Sequence, residues 1–190
     1  MSARNVPRTT LPIVIVPGLH GSEAGHWQSQ WQAQLPTARR IQVGDWHQAD
    51  LDRWRRGIRT ALGNSAAPAL LVAHSFGCLA SAVVAAEQPE RIAGLFLVAP
   101  ADPDKFGIRS ALPREHLRPS TTLVGSRNDP WMTESKSREL ARKIGATYLD
   151  AGAAGHINVT SGAGIWPQGW RWYQQFAATL EQSEPLRHTG

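Results

Sequence analysis

The sequence predicts a single-domain α/β fold over residues 1–190: a mostly parallel sheet of about six strands with helices on both faces and no large cap domain. Short aliphatic runs alternate along the chain with longer stretches of helical periodicity. Most of the runs are continuous rather than interleaved with polar residues, as strands covered on both faces require. A length of 190 residues suits one domain, and no composition shift, repeat or low-complexity tract divides it.

Taken in order, the first strand is Ile13–Val16, and a glycine-rich loop follows it. His26–Leu35 reads as a helix in which Trp27 and Trp31, four residues apart, share one packed face. A second strand is expected at Arg40–Val43 and a helix at Asp50–Leu62, with Leu51, Trp54, Ile58 and Leu62 at helical spacing. The strand Ala69–Ala73 runs straight into a helix, Phe76–Glu87, which Pro89 stops. Leu95–Ala99 is the fourth strand, and the segment Ala101–Ser120 behind it is too short for an independent lid. The strand Thr121–Gly125 and the helix Glu134–Ile144 come next, and Gly145 ends that helix. Thr147–Asp150 is the last strand and Gln168–Leu180 the approximate last helix. Met1–Thr9 and Gln182–Gly190 are expected to be loose ends.

Hydrophobic residues make up 42% of the chain and charged residues 18%, a balance that suits a packed globular protein. The net charge of +5 and pI near 10.1 raise the question of a nucleic-acid partner. Yet the densest basic cluster, Arg53, Arg55, Arg56 and Arg59, alternates with the apolar stripe of the second helix. It reads as a solvated outer face, no binding motif accompanies it, and no nucleic-acid partner is expected. No apolar run approaches the roughly 20 residues that span a bilayer, and the first residues carry no apolar signal core. The single cysteine, Cys78, has no internal disulfide partner and reads as a small buried hydrophobe. Together these point to the cytoplasm, with no membrane partner.

Chemistry enters at Ala69-Leu70-Leu71-Val72-Ala73-His74-Ser75-Phe76-Gly77-Cys78, where a buried strand meets a helix rich in small residues. A serine at that junction is either a helix cap or the nucleophile of an elbow, whose strained turn lifts the hydroxyl above the sheet. Small residues must flank it so that strand and helix approach closely. Ala73 and Gly77 supply them, with Ala73 standing where the usual pattern has glycine.

Two partners follow in the chain order Ser, Asp, His that such an elbow uses. Asp129 lies in the turn-rich loop Gly125-Ser126-Arg127-Asn128-Asp129-Pro130-Trp131 after the fifth strand, at the edge where open α/β sheets gather their sites. Asp102, Asp104 and Asp150 also end strands and rank as rival acids. His156 lies in the glycine-rich loop after the last strand, which can curl back toward the serine. His74 adjoins the nucleophile but should point elsewhere and make a structural hydrogen bond. The histidines show no metal-ligand spacing, so neither a metal nor a cofactor is expected.

An oxyanion hole would need the amide of Phe76 and a second amide from Val16-Pro17-Gly18-Leu19-His20-Gly21-Ser22, with Leu19 the best donor. His20, Trp131 and Trp166 are placed to line a substrate pocket. The short segment 101–120 should leave that pocket shallow, suited to a small-molecule ester or other acyl substrate.

Val-Pro-Gly-Leu-His-Gly-Ser at 16–22, Ala-His-Ser-Phe-Gly at 73–77, Gly-Ser-Arg-Asn-Asp-Pro at 125–130 and Gly-His-Ile-Asn at 155–158 resemble the YdeN-like small serine hydrolases. That family belongs to the α/β-hydrolase superfamily and is related to the retinoblastoma-binding protein 9 hydrolase. The tail from Ser161 to Trp170 is similar too. The resemblance implies a compact α/β hydrolase without a large cap or a cofactor, and a triad of Ser75, Asp129 and His156. Esterase, thioesterase and peptidase chemistry all remain open, as does a non-catalytic binding module on the same fold.

Overall fold

The computed structural model describes residues 10–183. Its centre is a six-stranded, wholly parallel sheet of β1 (Ile13–Val16), β2 (Ala38–Arg40), β3 (Ala69–His74), β4 (Ile92–Val98), β5 (Ser120–Gly125) and β6 (Thr147–Asp150). The spatial order is β2-β1-β3-β4-β5-β6. The chain steps outward from β1 to β2, then returns to the other side of β1 for β3. This reversal leaves a crevice above the carboxyl ends of β1 and β3, where ligands of open α/β sheets bind.

Side chains alternate across the pleat into two cores. Val14, Val16, Leu71, Ala73, Leu95, Leu97 and Leu123 face one side, which α2 (Leu51–Leu62), α3 (Phe76–Glu87) and α4 (Glu134–Ile144) cover. Ile13, Ile15, Leu70, Val72, Phe96, Val98 and Val124 face the other, under α1 (Trp27–Gln32) and α5 (Pro167–Ser183). Each valine, leucine, isoleucine or phenylalanine among them contributes roughly 1.5–3 kcal/mol when fully buried, so both layers are firmly held.

Helix limits follow local chemistry. Asp50 caps α2 by accepting from the Arg53 amide at 3.0 Å, and Thr133 caps α4. Gly145, left-handed at the end of α4, stops that helix where expected. Of the arginines of α2 only Arg56 is exposed, while Arg53, Arg55 and Arg59 are half-buried, so the cluster is not the solvated outer face expected from the sequence. Arg55 and Arg59 share the carboxylate of Glu87 on α3, and Arg53 pairs with Asp50 and Asp45.

Several boundaries differ from the sequence reading. The second strand is Ala38–Arg40 rather than Arg40–Val43. At this sheet edge, backbone pairing with β1 needs no apolar side chains; Ile41 still donates its amide to the Ile15 carbonyl at 3.1 Å, and Ile41 and Val43 fill the core beneath α2. β4 starts at Ile92, before the expected Leu95, because Ala93 and Gly94 break up the aliphatic signal. α1 is shorter than His26–Leu35: His26 is its N-cap and Gln32 its last residue. α5 runs on to Ser183, so Gln182 and Ser183, expected in a loose end, are helical. The remainder of that stretch, like Met1–Thr9, lies outside the described residues.

Candidate active site

At the end of β3 the chain turns at Ser75 with φ 53° and ψ −122°, a left-handed conformation that a residue with a Cβ adopts only under strain. The Ser75 hydroxyl makes no cap bond to α3, so the alternative of a plain helix cap does not hold. The Ser75 amide donates to the Val98 carbonyl at 3.1 Å and ties the turn to β4. Close packing explains the small flanking residues. A Cβ on Gly77 would stand 2.4 Å from the Val16 carbonyl oxygen, so only glycine lets α3 start against the end of β1. Ala73 is fully buried in the core and is not among the residues with positive φ, so its backbone does not require glycine.

Loops after β5 and β6 bring the two sequence partners to this turn. His156 Nε2 lies 2.9 Å from Ser75 Oγ, and Nδ1 lies 2.9 and 3.0 Å from the two carboxylate oxygens of Asp129. A carboxylate only accepts, so Nδ1–H donates to Asp129 and the Nε2 lone pair faces the serine hydroxyl. The Asp129 side chain is 3% exposed and that of His156 10%. Oδ1 of Asp129 also accepts from the Trp131 amide at 2.9 Å, which fixes the carboxylate's rotation.

The rival acids are engaged elsewhere. Asp150 takes a two-pronged bond from Arg127 and caps the Gly152 amide, and these contacts hold its carboxyl below the usual range. Asp102 and Asp104 both accept from Lys136.

The sequence reading missed the groups that hold the histidine loop. Asn128 Oδ1 accepts from the Gly155 amide at 2.7 Å, and Ser126 Oγ accepts from the Ala154 amide at 3.0 Å. His74, assigned a structural hydrogen bond, donates from Nε2 to the His156 carbonyl at 2.9 Å. Trp27, read only as helix-face packing, donates its indole N–H to the Ile157 carbonyl, also at 2.9 Å. The one signal for these contacts was a polar atom on a side chain otherwise suited to the core.

Above the serine, Gly18 passes so close that a Cβ there would lie 2.7 Å from Ser75 Cβ. Trp54 anchors this loop from below by donating to the Pro17 carbonyl at 2.8 Å. The His20 amide turns outward to the Trp46 carbonyl. The amides of Leu19 and Phe76 have no partner among the described residues.

The serine and histidine open into a cleft of about 280 Å³. Leu19, His20, Phe106 and Trp131 are among its walls, and Trp131 is 53% exposed at the rim. Lys105 lies over the Trp131 ring, 5.4 Å from its centroid. Trp166 is a correction: it does not line the cleft. A turn with φ 45° folds it into the core, where its ring stacks on Trp31 at 5.8 Å. Burial holds His74 well below its usual pKa and pushes His26 down to about 4, with Arg40 and His156 adding to the latter shift. Cys78, directly under the elbow, is buried and donates weakly to the Val98 carbonyl; burial pushes its thiol pKa far up. Among the described residues no cluster of three or more His, Cys, Asp or Glu could hold a metal.

A family model described as serine hydrolase matches residues 13–175. The chain is 40% identical to a structure described as a YdeN-like hydrolase from Pectobacterium atrosepticum, over 90% of this chain and 92% of that one, with a TM-score of 0.86. The ydeN gene product of Bacillus subtilis is 19% identical over 89% of this chain and all of the other, with a TM-score of 0.74. A more distant likeness is to mouse alpha/beta hydrolase domain-containing protein 10, at 14% identity over 90% and 89% of the chains and a TM-score of 0.66. No curated protein matches the chain. No helix among the described residues is long and apolar enough to cross a membrane.

Proposed function

Because the chain belongs to the serine hydrolase family, we propose that it cleaves a carboxylic ester, or a related acyl bond, of a small substrate through an acyl-enzyme on Ser75. The observation that carries this reading is the unbroken line from Ser75 Oγ through both nitrogens of His156 to Asp129, with each step within 3.0 Å.

In this mechanism the Ser75 hydroxyl attacks the substrate carbonyl as His156 Nε2 takes its proton. Asp129 keeps the imidazole in the required tautomer and stabilises the imidazolium. The Leu19 and Phe76 amides receive the negative charge that develops on the carbonyl oxygen. The imidazolium then protonates the leaving alcohol. Water, deprotonated by His156, attacks the acyl-enzyme and frees Ser75. All these roles fall to the chain's own groups. The cleft lies at the small end of ligand sites, which favours acyl groups of a few carbons.

A fluorophosphonate probe with a panel of p-nitrophenyl esters, acyl-CoA thioesters and aminopeptidase substrates tests the reading. Labelling at Ser75 with turnover of short esters is expected. Folded protein that neither labels nor turns over any substrate overturns it in favour of a binding module.

A further inference from the structure

We propose that His26 is a specificity-determining residue: its Nε2–H donates to an acceptor oxygen that the substrate carries close to its scissile ester. This inference rests on the acyl-enzyme reading above and deepens it.

His26 lines the same cleft as Ser75 and is only 3% exposed. Its Nδ1 is already committed, accepting the Gln28 amide at 3.2 Å as the cap of α1. The proton of the neutral ring therefore sits on Nε2, and at neutral pH the ring is neutral because burial holds its pKa near 4. That Nε2 is buried with no partner among the described residues. A buried donor without a partner is costly, and such groups recur where a ligand completes the bond. The ring meets His74 edge-on, with centroids 4.9 Å apart, and His74 in turn lies 4.9 Å from the His156 ring. One imidazole thus separates His26 from the histidine that faces the serine.

Two other nitrogen donors of the cleft already have protein partners. His74 Nε2 holds the His156 carbonyl and Lys105 the Pro130 carbonyl. In the reading above the Leu19 and Phe76 amides serve the oxyanion. A bond to His26 therefore serves another atom of the substrate: an ether or carbonyl oxygen on the acyl chain or on the alcohol.

Two isosteric pairs test this. p-Nitrophenyl methoxyacetate against p-nitrophenyl butyrate places the extra oxygen on the acyl side; 2-methoxyethyl acetate against butyl acetate places it on the alcohol side. For each pair the ratio of kcat/KM values is compared between the wild type and two variants, so that intrinsic reactivity cancels. His26→Asn keeps an oxygen that caps the Gln28 amide but removes the Nε2 donor. His26→Gln places an amide N–H near the Nε2 position but gives up the cap.

The expected result is a ratio that falls about tenfold in His26→Asn for one of the two pairs and is largely kept in His26→Gln. The responding pair identifies the side that carries the oxygen. A merely structural His26 gives the reverse order, with His26→Gln the more impaired and both esters of a pair slowed alike. That outcome, or ratios unmoved in both variants while turnover still depends on Ser75, overturns the inference alone. Turnover that survives Ser75→Ala, or no turnover of any of the four esters, overturns the acyl-enzyme reading and this inference with it.

Discussion

Nε2 of His74 donates to the carbonyl oxygen of His156 at 2.9 Å, so the residue next to the serine holds the backbone of the residue that faces it. The two histidines are 82 positions apart in the chain. Ser75 and His74 leave the same strand end with different duties, one projecting into the cleft and one bracing the loop beyond it.

Replacing His74 with phenylalanine keeps the ring's bulk and removes that donor. The His156 carbonyl loses its partner, which costs about 1–3 kcal/mol in stability. The expected kinetic effect is a kcat lowered about 10- to 100-fold with KM little changed, measured on a short p-nitrophenyl ester.

Ser75→Ala is expected to lower kcat by roughly three orders of magnitude or more while leaving the circular dichroism spectrum unchanged. Ser75→Gly should be equally inactive but more stable than the wild type by about 1 kcal/mol, since glycine relieves the strain at φ 53°. For a chain of this size that is a rise in Tm of roughly 2–4 °C.

Gly18→Ala and Gly77→Ala separate function from packing. At residue 77 the new methyl meets backbone oxygens at 2.4 and 2.6 Å, which cannot yield without moving the end of β1; a loss of about 2 kcal/mol or more is expected on urea unfolding. At residue 18 it meets the Ser75 side chain. There the expected loss is mostly in kcat, as the Leu19 amide is pushed off its line to the carbonyl oxygen.

Stability should fall with acid before the carboxylates protonate. His26 titrates near 4 when folded and near 6.5 when unfolded, so between those values the unfolded chain binds more protons and stability declines as pH drops. The effect approaches about 3 kcal/mol at pH 4 and vanishes above about pH 7. His74, shifted in the same direction by burial, adds to it. Urea midpoints at pH 7.5 and 4.5 measure the decline, and it should be smaller in His26→Asn.

Much of this architecture was legible because local chemistry and tertiary need agree. α3 and α4 fall where the sequence puts them, since the strained turn at Ser75, a proline, a threonine cap and a left-handed glycine punctuate them. β2 was misplaced because hydrophobicity marks burial, and Ile41 and Val43 are buried beyond the strand's last residue, Arg40. Trp166 was placed at the cleft on its closeness to His156 in sequence, but a positive-φ turn reverses its side chain into the core. Asp129 and its rivals could be ranked but not separated until Arg127 and Lys136 were seen to occupy the others. The brace from Trp27 to Ile157 joins residues 130 positions apart, a relationship that periodicity cannot carry.

The lone thiol under the elbow gives the molecule a built-in reporter. Cys78 is sealed from solvent and kept protonated by its surroundings, so a maleimide dye cannot reach it while the chain is folded. Each molecule then becomes fluorescent once, at a single known position, when its core opens. The rate of that colouring measures the opening of the layer directly beneath Ser75, in enzyme that is otherwise untouched.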